Sequence, residues 1–306
     1  MRFLSIGECM AELSPAGDAR DPRAYRLDYA GDTYNTAWYF RRLRPDARCA
    51  YLSAAGDDAP SDAMISAIGS AGVDTRFIQR RAGESIGLYM IALDGAERRF
   101  CYWRSASAAR NLAEDPARLD AAMEASDLLF FSGITLGILP RAGRQALLDA
   151  LSRARDRGRT VAFDPNLRPA LWSDADEMRA WIMRGAQVCD IALPSREDDA
   201  LHFGDRDGQA VLDRYRSAGA RCVVVKDGPG PVLYDAGEET GEVETPPADA
   251  VVDTTAAGDA FNAGFLSRFD SGEGLATRIA HASALARHVI SVRGALAPPP
   301  DPAFSS

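Results

Sequence analysis

The sequence predicts an α/β protein built on a mostly parallel central sheet, with a small β-sheet appended as a lid. Two observations carry this reading. Short apolar runs rich in branched residues alternate with longer amphipathic segments: LLFFSGI (128–134), RQALLDALSRARDRG (144–158), TVAFD (160–164) and CVVVKDG (222–228). That alternation is the pattern of βαβ units around a parallel sheet. The segment IGLYMIALDGAERRFCYWR (86–104) differs, because two extended runs flank Asp94-Gly95, a strong hairpin signal.

From the N-terminus, FLSIG (3–7) reads as a first strand. It is too short for a signal peptide or membrane span and is soon interrupted by Glu8 and Glu12. The lid is expected from residues 9–30 and 84–105. Several predicted core strands end in polar or glycine residues, namely Ser132-Gly133, Asp164 and Lys226-Asp227-Gly228. Ligands of such sheets bind beyond the carboxyl ends of the strands. In DTTAAGDAFNAGF (253–265) the spacing of Phe261, Phe265 and Leu266 predicts a helix beginning near Ala257. The tail ALAPPPDPAFSS is Pro-rich and reads as irregular. With no repeat or long linker, residues 1–306 read as a single domain.

Composition narrows the class. A chain of 306 residues, 46% hydrophobic, has material for one large core and a smaller appended unit. A formal net charge of -9 argues against nucleic-acid and anionic-membrane partners, which demand clustered Lys and Arg. The five cysteines form no CxxC pair, so neither a zinc knuckle nor a disulfide framework is expected, and a cytoplasmic location is. His281 and His288 share a helical face without a carboxylate partner and read as structural.

The chemistry concentrates in two stretches. At the helix start in TTAAGDAFNAGF, the backbone N–H groups of Ala256, Ala257 and Gly258 can cradle developing negative charge, and the helix dipole adds to the effect. Asp259 falls in the first turn, where an acid is favoured in any helix. AGDTYNTAWYFRRL (30–43) reads equally as an Asp-Thr turn capping a helix.

Together, in this order and at the two ends of the chain, these stretches resemble the signatures of the PfkB-type (ribokinase-like) carbohydrate kinases, usually spelled GGxxxN and DTTGAGD. The resemblance runs from Gly7-Glu8 to Gly294-Ala295. It implies a three-layer α/β/α fold of ribokinase-like type with a β-sheet lid. It also implies Asp259 as catalytic base, Ala256, Ala257 and Gly258 as an anion hole, and Gly31, Asp32 and Asn35 as sugar contacts. Ala256 departs from the usual glycine, a spelling common among 2-keto-3-deoxygluconate kinases. It keeps its N–H donor, so the hole survives unless that residue needs positive φ.

Further positions match the family's pattern. Ser195 and Asp198 occupy its NxxE element, which implies that Asp198 holds Mg2+ through water. The neighbouring Glu197 and Asp199 leave an acidic, solvated helix start as an equal account. Lys226, Gly228 and Gly230 resemble a K-x-G-x-x-G turn that packs on the nucleotide, one residue tighter here; Lys226 also reads as a plain strand-end lysine. Ala282 and Ser283 fall where the family draws its adenine pocket.

For the substrate, Arg104 in FCYWRSASAARNL and Arg168 in FDPNLRPALW stand out, because a guanidinium fork suits a carboxylate. With Tyr89 and Tyr102 they resemble the substrate contacts of 2-keto-3-deoxygluconate kinases. The implied reaction is ATP-dependent phosphorylation of that sugar acid at its C6 hydroxyl. A neutral-sugar kinase such as a fructokinase, and a sugar sensor without chemistry, are the alternatives. ATP and Mg2+ are the implied cofactors, with a monovalent cation near the Asp253 loop left open. A homodimer through apolar lid strands such as IGLYMI is expected.

Overall fold

The computed structural model describes residues 1–16, 23–94, 97–248 and 250–299. In chain order its strands are β1 (Arg2–Ile6), β2 (Met10–Pro15), β3 (Tyr25–Ala30), β4 (Arg48–Gly56), β5 (Ile78–Arg81), β6 (Leu88–Asp94) and β7 (Glu97–Trp103). They continue as β8 (Leu128–Ser132), β9 (Thr160–Asp164), β10 (Ile191–Ala192), β11 (Cys222–Val225), β12 (Val232–Asp235) and β13 (Thr240–Val243).

Nine strands form the large sheet in the order β13-β12-β11-β10-β9-β8-β1-β4-β5. Pairing is parallel from β5 through β11, and antiparallel only at β11-β12 and β12-β13. Parallel pairing requires crossovers that cover both faces, so these strands must be apolar on both sides. They are: Leu129 and Phe131 of β8 enter one core, while Leu128 and Phe130 enter the core on the opposite face. Phe3 and Leu4 of β1 divide the same way, which gives the helix–sheet–helix layering expected from the βαβ pattern.

The small sheet has the order β3-β2-β6-β7 and is drawn from residues 10–15, 25–30, 88–94 and 97–103. β6 and β7 pair antiparallel from Leu88–Trp103 to Asp94–Glu97, while residues 95 and 96 of the turn lie outside the described residues. The apolar lid stretch IGLYMI, expected to serve a homodimer, lies inside this sheet rather than at its edge. Its strand, β6, is hydrogen-bonded to β2 on one side and β7 on the other, and the edges belong to β3 and β7. Those edge strands carry the exposed apolar side chains Tyr25, Leu27, Phe100, Tyr102 and Trp103. Among the described residues, no helix is long and apolar enough to cross a membrane.

Candidate functional site

The carboxyl ends of β9 and β11 converge with the amino ends of two helices, Asp32–Leu43 and Ala257–Ser267. Asp259 lies in the first turn of the second helix. Asn35 Nδ2 donates to Asp259 Oδ2 at 2.8 Å, and the Thr36 hydroxyl donates to the Asp259 carbonyl at 3.3 Å. The two stretches singled out at opposite ends of the sequence are therefore in direct contact.

Asp32 is a second carboxylate in the cluster, and Asn166 Nδ2 donates to its Oδ2 at 3.0 Å. A third is Asp164, the last residue of β9. Its Oδ2 accepts from Lys226 Nζ at 2.8 Å and from Asn262 Nδ2 at 2.6 Å, and its Oδ1 accepts from the Asn166 N–H at 3.0 Å. Lys226 Nζ also donates to Asn262 Oδ1 at 3.1 Å.

Lys226 thus turns into the carboxylate cluster rather than standing as a plain strand-end lysine. Three carboxylates around one ammonium leave an excess of negative charge. Burial pushes Asp259 up to about 7, with the Asp32 charge adding and the Asn35 hydrogen bond opposing. Asp32 is also raised, again chiefly by burial.

The loop before Asp259 has one exceptional residue. Ala256 stands at φ 61, the left-handed region in which glycine is at ease. The alanine at the usual glycine position thus meets the one condition set against the anion hole; it adopts the positive φ itself, at a backbone cost of about 1–2 kcal/mol, and so keeps its N–H donor in place. Asp253 braces the loop, accepting from Thr255 N–H at 3.1 Å and from Gly294 N–H at 2.7 Å. The Ala257 N–H reaches the Thr254 carbonyl at 3.3 Å, so it is less free than expected. The first helical closure is Ala260 N–H to Ala256 carbonyl at 2.8 Å, which leaves the Gly258 N–H ahead of the ladder. Ala256→Gly is expected to raise stability by up to about 1 kcal/mol, the left-handed cost less the entropy of glycine. Thermal denaturation checks this, and an unchanged or lower melting temperature would contradict it.

Gly31 was expected to let backbone approach the sugar. Its φ is 171, ordinary extended backbone, and a Cβ there would stand 2.1 Å from the Glu8 carbonyl oxygen. The close approach is to the segment after β1.

Ser195 bridges Lys226 in parallel fashion, bringing the nucleotide-contact candidates together, and Gly228 occupies the left-handed region at φ 52. Gly230 closes the same turn through its N–H to the Asp227 carbonyl at 2.7 Å. Asp198 is half-buried and lies 3.9 Å from Arg168, itself half exposed. Asp199 is instead buried on Arg214 and Tyr215, a structural role.

Arg104 follows β7 and pairs with the Glu8 carboxylate; Tyr89 donates its hydroxyl to Glu12. The Tyr102 hydroxyl feels Arg104, Arg168 and Asp32, which places all four in one neighbourhood. Ala282 corrects the adenine expectation. It is fully buried under Gly264, where a Cβ would meet its Cα at 2.8 Å, so it forms a helix–helix contact. Burial pulls His281 down to about 4, and His288 Nε2 lies 2.9 Å from the Pro298 carbonyl, both structural settings.

Glu8, Asn166 and Asn262 were not among the predicted site residues, and Asp164 was noted only as a polar strand end. Asn262 had a usable signal: it lies three residues after Asp259 in an apolar helix, on the same face, and is fully buried.

A family model described as pfkB family carbohydrate kinase matches residues 2–302. The 2-dehydro-3-deoxygluconokinase of Dickeya dadantii (strain 3937) is 38% identical over 301 residues, 96% of this chain and 96% of the relative. That of Haemophilus influenzae (strain ATCC 51907 / DSM 11121 / KW20 / Rd) is 34% identical over 298 residues, 95% of this chain and 94% of the relative. Among solved structures, the PfkB protein from Polaromonas sp. JS666 superposes with a TM-score of 0.86 at 25% identity, covering 97% of each chain. Fructokinase with bound ATP from Xylella fastidiosa gives 0.83 at 24% identity, covering 96% of this chain and 93% of that one, a likeness of fold. With these matches spanning nearly its whole length, the chain belongs to the pfkB family of carbohydrate kinases, and it is a kinase of their ribokinase-like fold.

Proposed function

We propose that the protein phosphorylates the C6 hydroxyl of 2-keto-3-deoxygluconate from ATP, with Asp259 as general base. The observation that carries the reading is the Asn35–Asp259 contact, which sets a carboxyl with an affinity for protons near neutrality beside a helix amino terminus. Asp259 takes the hydroxyl proton as that oxygen bonds to the γ-phosphorus and the bond to the ADP oxygen breaks. The Ala256 and Gly258 N–H groups, with Ala257 joining as its long contact to Thr254 yields, hold charge on the phosphoryl oxygens. Lys226, Ser195, Gly228 and Gly230 line the nucleotide side. Gly31, Asp32 and Asn35 serve the sugar, and the small sheet serves as a lid that excludes water.

Among the described residues no group of three or more His, Cys, Asp or Glu could hold a metal by itself. That fits Mg2+, which keeps several waters and arrives with the nucleotide phosphates, so that a single rim carboxylate, Asp198, suffices. When bound, the ion neutralises phosphate charge.

The substrate's acid end is assigned to Arg104, Arg168, Tyr89 and Tyr102. Arg104 Nε is buried without an acceptor, a donor that a ligand carboxylate would satisfy. A neutral-sugar kinase is the second reading: Glu8 occupies one edge of the Arg104 guanidinium, and this reading holds if no ligand carboxylate takes the free Nε edge. ATP-dependent turnover with a panel of 2-keto-3-deoxygluconate, its galactonate epimer, fructose and ribose separates the two. The keto acids should lead in kcat/KM by orders of magnitude; a lead for fructose or ribose would remove the acid assignment. In Arg104→Ala the keto-acid KM should rise about 30-fold or more, the loss of a buried charge-assisted pair.

Because Asp259 must be ionised to accept a proton, kcat/KM is expected to fall as pH drops through about 7, roughly tenfold per pH unit. A profile flat down to pH 5 would contradict the assignment. A homodimer through the small sheet rests on its exposed apolar residues, with Leu27 the test position; Leu27→Asp should shift the sedimentation profile to monomer.

A further inference from the structure

We propose that Glu8 is the positioning residue that fixes the plane of Arg104 and thereby sets the preference for an acidic over a neutral sugar. The inference rests on the reading of Arg104 as the group that meets the substrate's carboxylate. Glu8 follows β1 in the core, whereas Arg104 follows β7 of the small sheet, 96 residues later. The Glu8 side chain is 1% exposed and that of Arg104 13%, so the pair is withdrawn from water.

A carboxylate so buried costs several kcal/mol unless it is paired, and a buried site of that kind is hard to keep by chance. Burial pushes Glu8 up, and the Arg104 charge is the largest influence holding it down.

Glu8 is itself held. A Cβ on Gly31 would meet its carbonyl oxygen at 2.1 Å, and a Cβ on Gly87 would meet its Oε1 at 2.9 Å, so the two glycines close around it. Arg104 is thus fixed at one nitrogen by an acceptor that cannot move. A guanidinium recognises a carboxylate through two parallel bonds in its own plane, and a rotation of that plane forfeits one of them. An untethered arginine would have to give up its rotamer freedom on every binding event. A neutral sugar makes no such demand, so the tether matters only for the acid. The arrangement recurs four residues on, where Glu12 accepts from the Tyr89 hydroxyl across the parallel register of β2 and β6.

The test is steady-state kinetics with 2-keto-3-deoxygluconate and with fructose for Glu8→Ala, Glu8→Gln, Arg104→Ala and the Glu8→Ala/Arg104→Ala double variant. Glu8→Ala should raise the keto-acid KM about tenfold or more while the KM for MgATP stays put, and the ratio of keto-acid to fructose kcat/KM should fall. In the double variant the Glu8 change should add nothing to the Arg104 change, since it acts through that residue. A keto-acid KM of wild-type size in Glu8→Ala, or effects that multiply in the double variant, would overturn the proposal. Should Glu8→Ala fail to fold, Glu8→Gln replaces it. Glu8→Gln keeps the shape, weakens the bond and should raise the same KM about threefold or more, with no change counting against the proposal. A raised KM in Arg104→Ala beside an unchanged one in Glu8→Ala removes this proposal alone. An unchanged KM in Arg104→Ala removes the acid-sugar reading and this one with it.

Discussion

Asp259→Asn should lower kcat by a factor on the order of 10² to 10⁴ and, at the same time, make the protein more stable. The first half follows from the proposed role of Asp259, the acid in the first turn of its helix, as the group that takes the hydroxyl proton. The second follows from linkage. The Asp259 carboxyl binds a proton more tightly in the folded protein, at about 7 against the ordinary aspartate value of 3.8, so folding stability declines as pH rises through that window. At pH 8 the native chain carries the full penalty of an ionised carboxylate beside Asp32 and Asp164. An asparagine avoids it and can still accept from Asn35 Nδ2, so a gain of about 1–2 kcal/mol is expected at pH 8 and little at pH 4. Denaturant unfolding at the two pH values, beside turnover assays, checks both halves. An asparagine variant that is inactive and also less stable at pH 8 would show that the carboxylate holds the site together.

The opposite sign is expected at Asp164. Its Oδ2 is the acceptor for both Lys226 Nζ and Asn262 Nδ2, and the Asp164 and Lys226 side chains are 7% and 13% exposed. Asp164→Ala strands a buried ammonium and an amide donor, so a loss of about 3–5 kcal/mol is expected. Asp164→Asn should cost less, because an acceptor remains. Unfolding measurements on both rank the two directly, and an alanine variant within about 1 kcal/mol of the native protein would mean that water or rearrangement satisfies Lys226. The two substitutions concern carboxylates in one cluster, yet one relieves like-charge crowding and the other removes the cation's partner.

What could be read from the chain beforehand divides along physical lines. The parallel sheet was legible because strands buried on both faces must be uniformly apolar, as LLFFS is, with Leu128 and Phe130 on one side and Leu129 and Phe131 on the other. The Asp32–Asn35 and Ala256–Asp259 stretches were legible only as a pair, because each alone reads as an ordinary helix start and their order at the two ends of the chain carries the family resemblance. Partnership was not legible. Nothing in the spelling of Lys226 says that its ammonium turns toward Asp164, and nothing in GECMAE says that Glu8 pairs with Arg104 or Glu12 with Tyr89. Such contacts join segments 62 and 96 residues apart and depend on how the layers close. The positive φ of Ala256 was signalled only by the glycine that usually stands there, since an alanine itself carries no mark of the strain it bears.

The four strands of the small sheet join the rest of the chain at points that all lie around Glu8. β2 begins two residues after Glu8, β3 runs into Gly31, β6 starts after Gly87, and β7 ends into Arg104. Gly31, Gly87 and Arg104 each touch Glu8 or leave room only for it. The sheet therefore stands on four legs that share one footing, and the legs also carry Asp32 and Arg104. Tilting the sheet away from the core would move Asp32 and Arg104 together, so if the sheet is the proposed lid and these residues meet the sugar, opening and loss of the sugar contacts would be a single event. On the reading proposed above, a lid jointed in this way would have no half-open form with its sugar contacts intact, and that would restrain the idle breakdown of ATP.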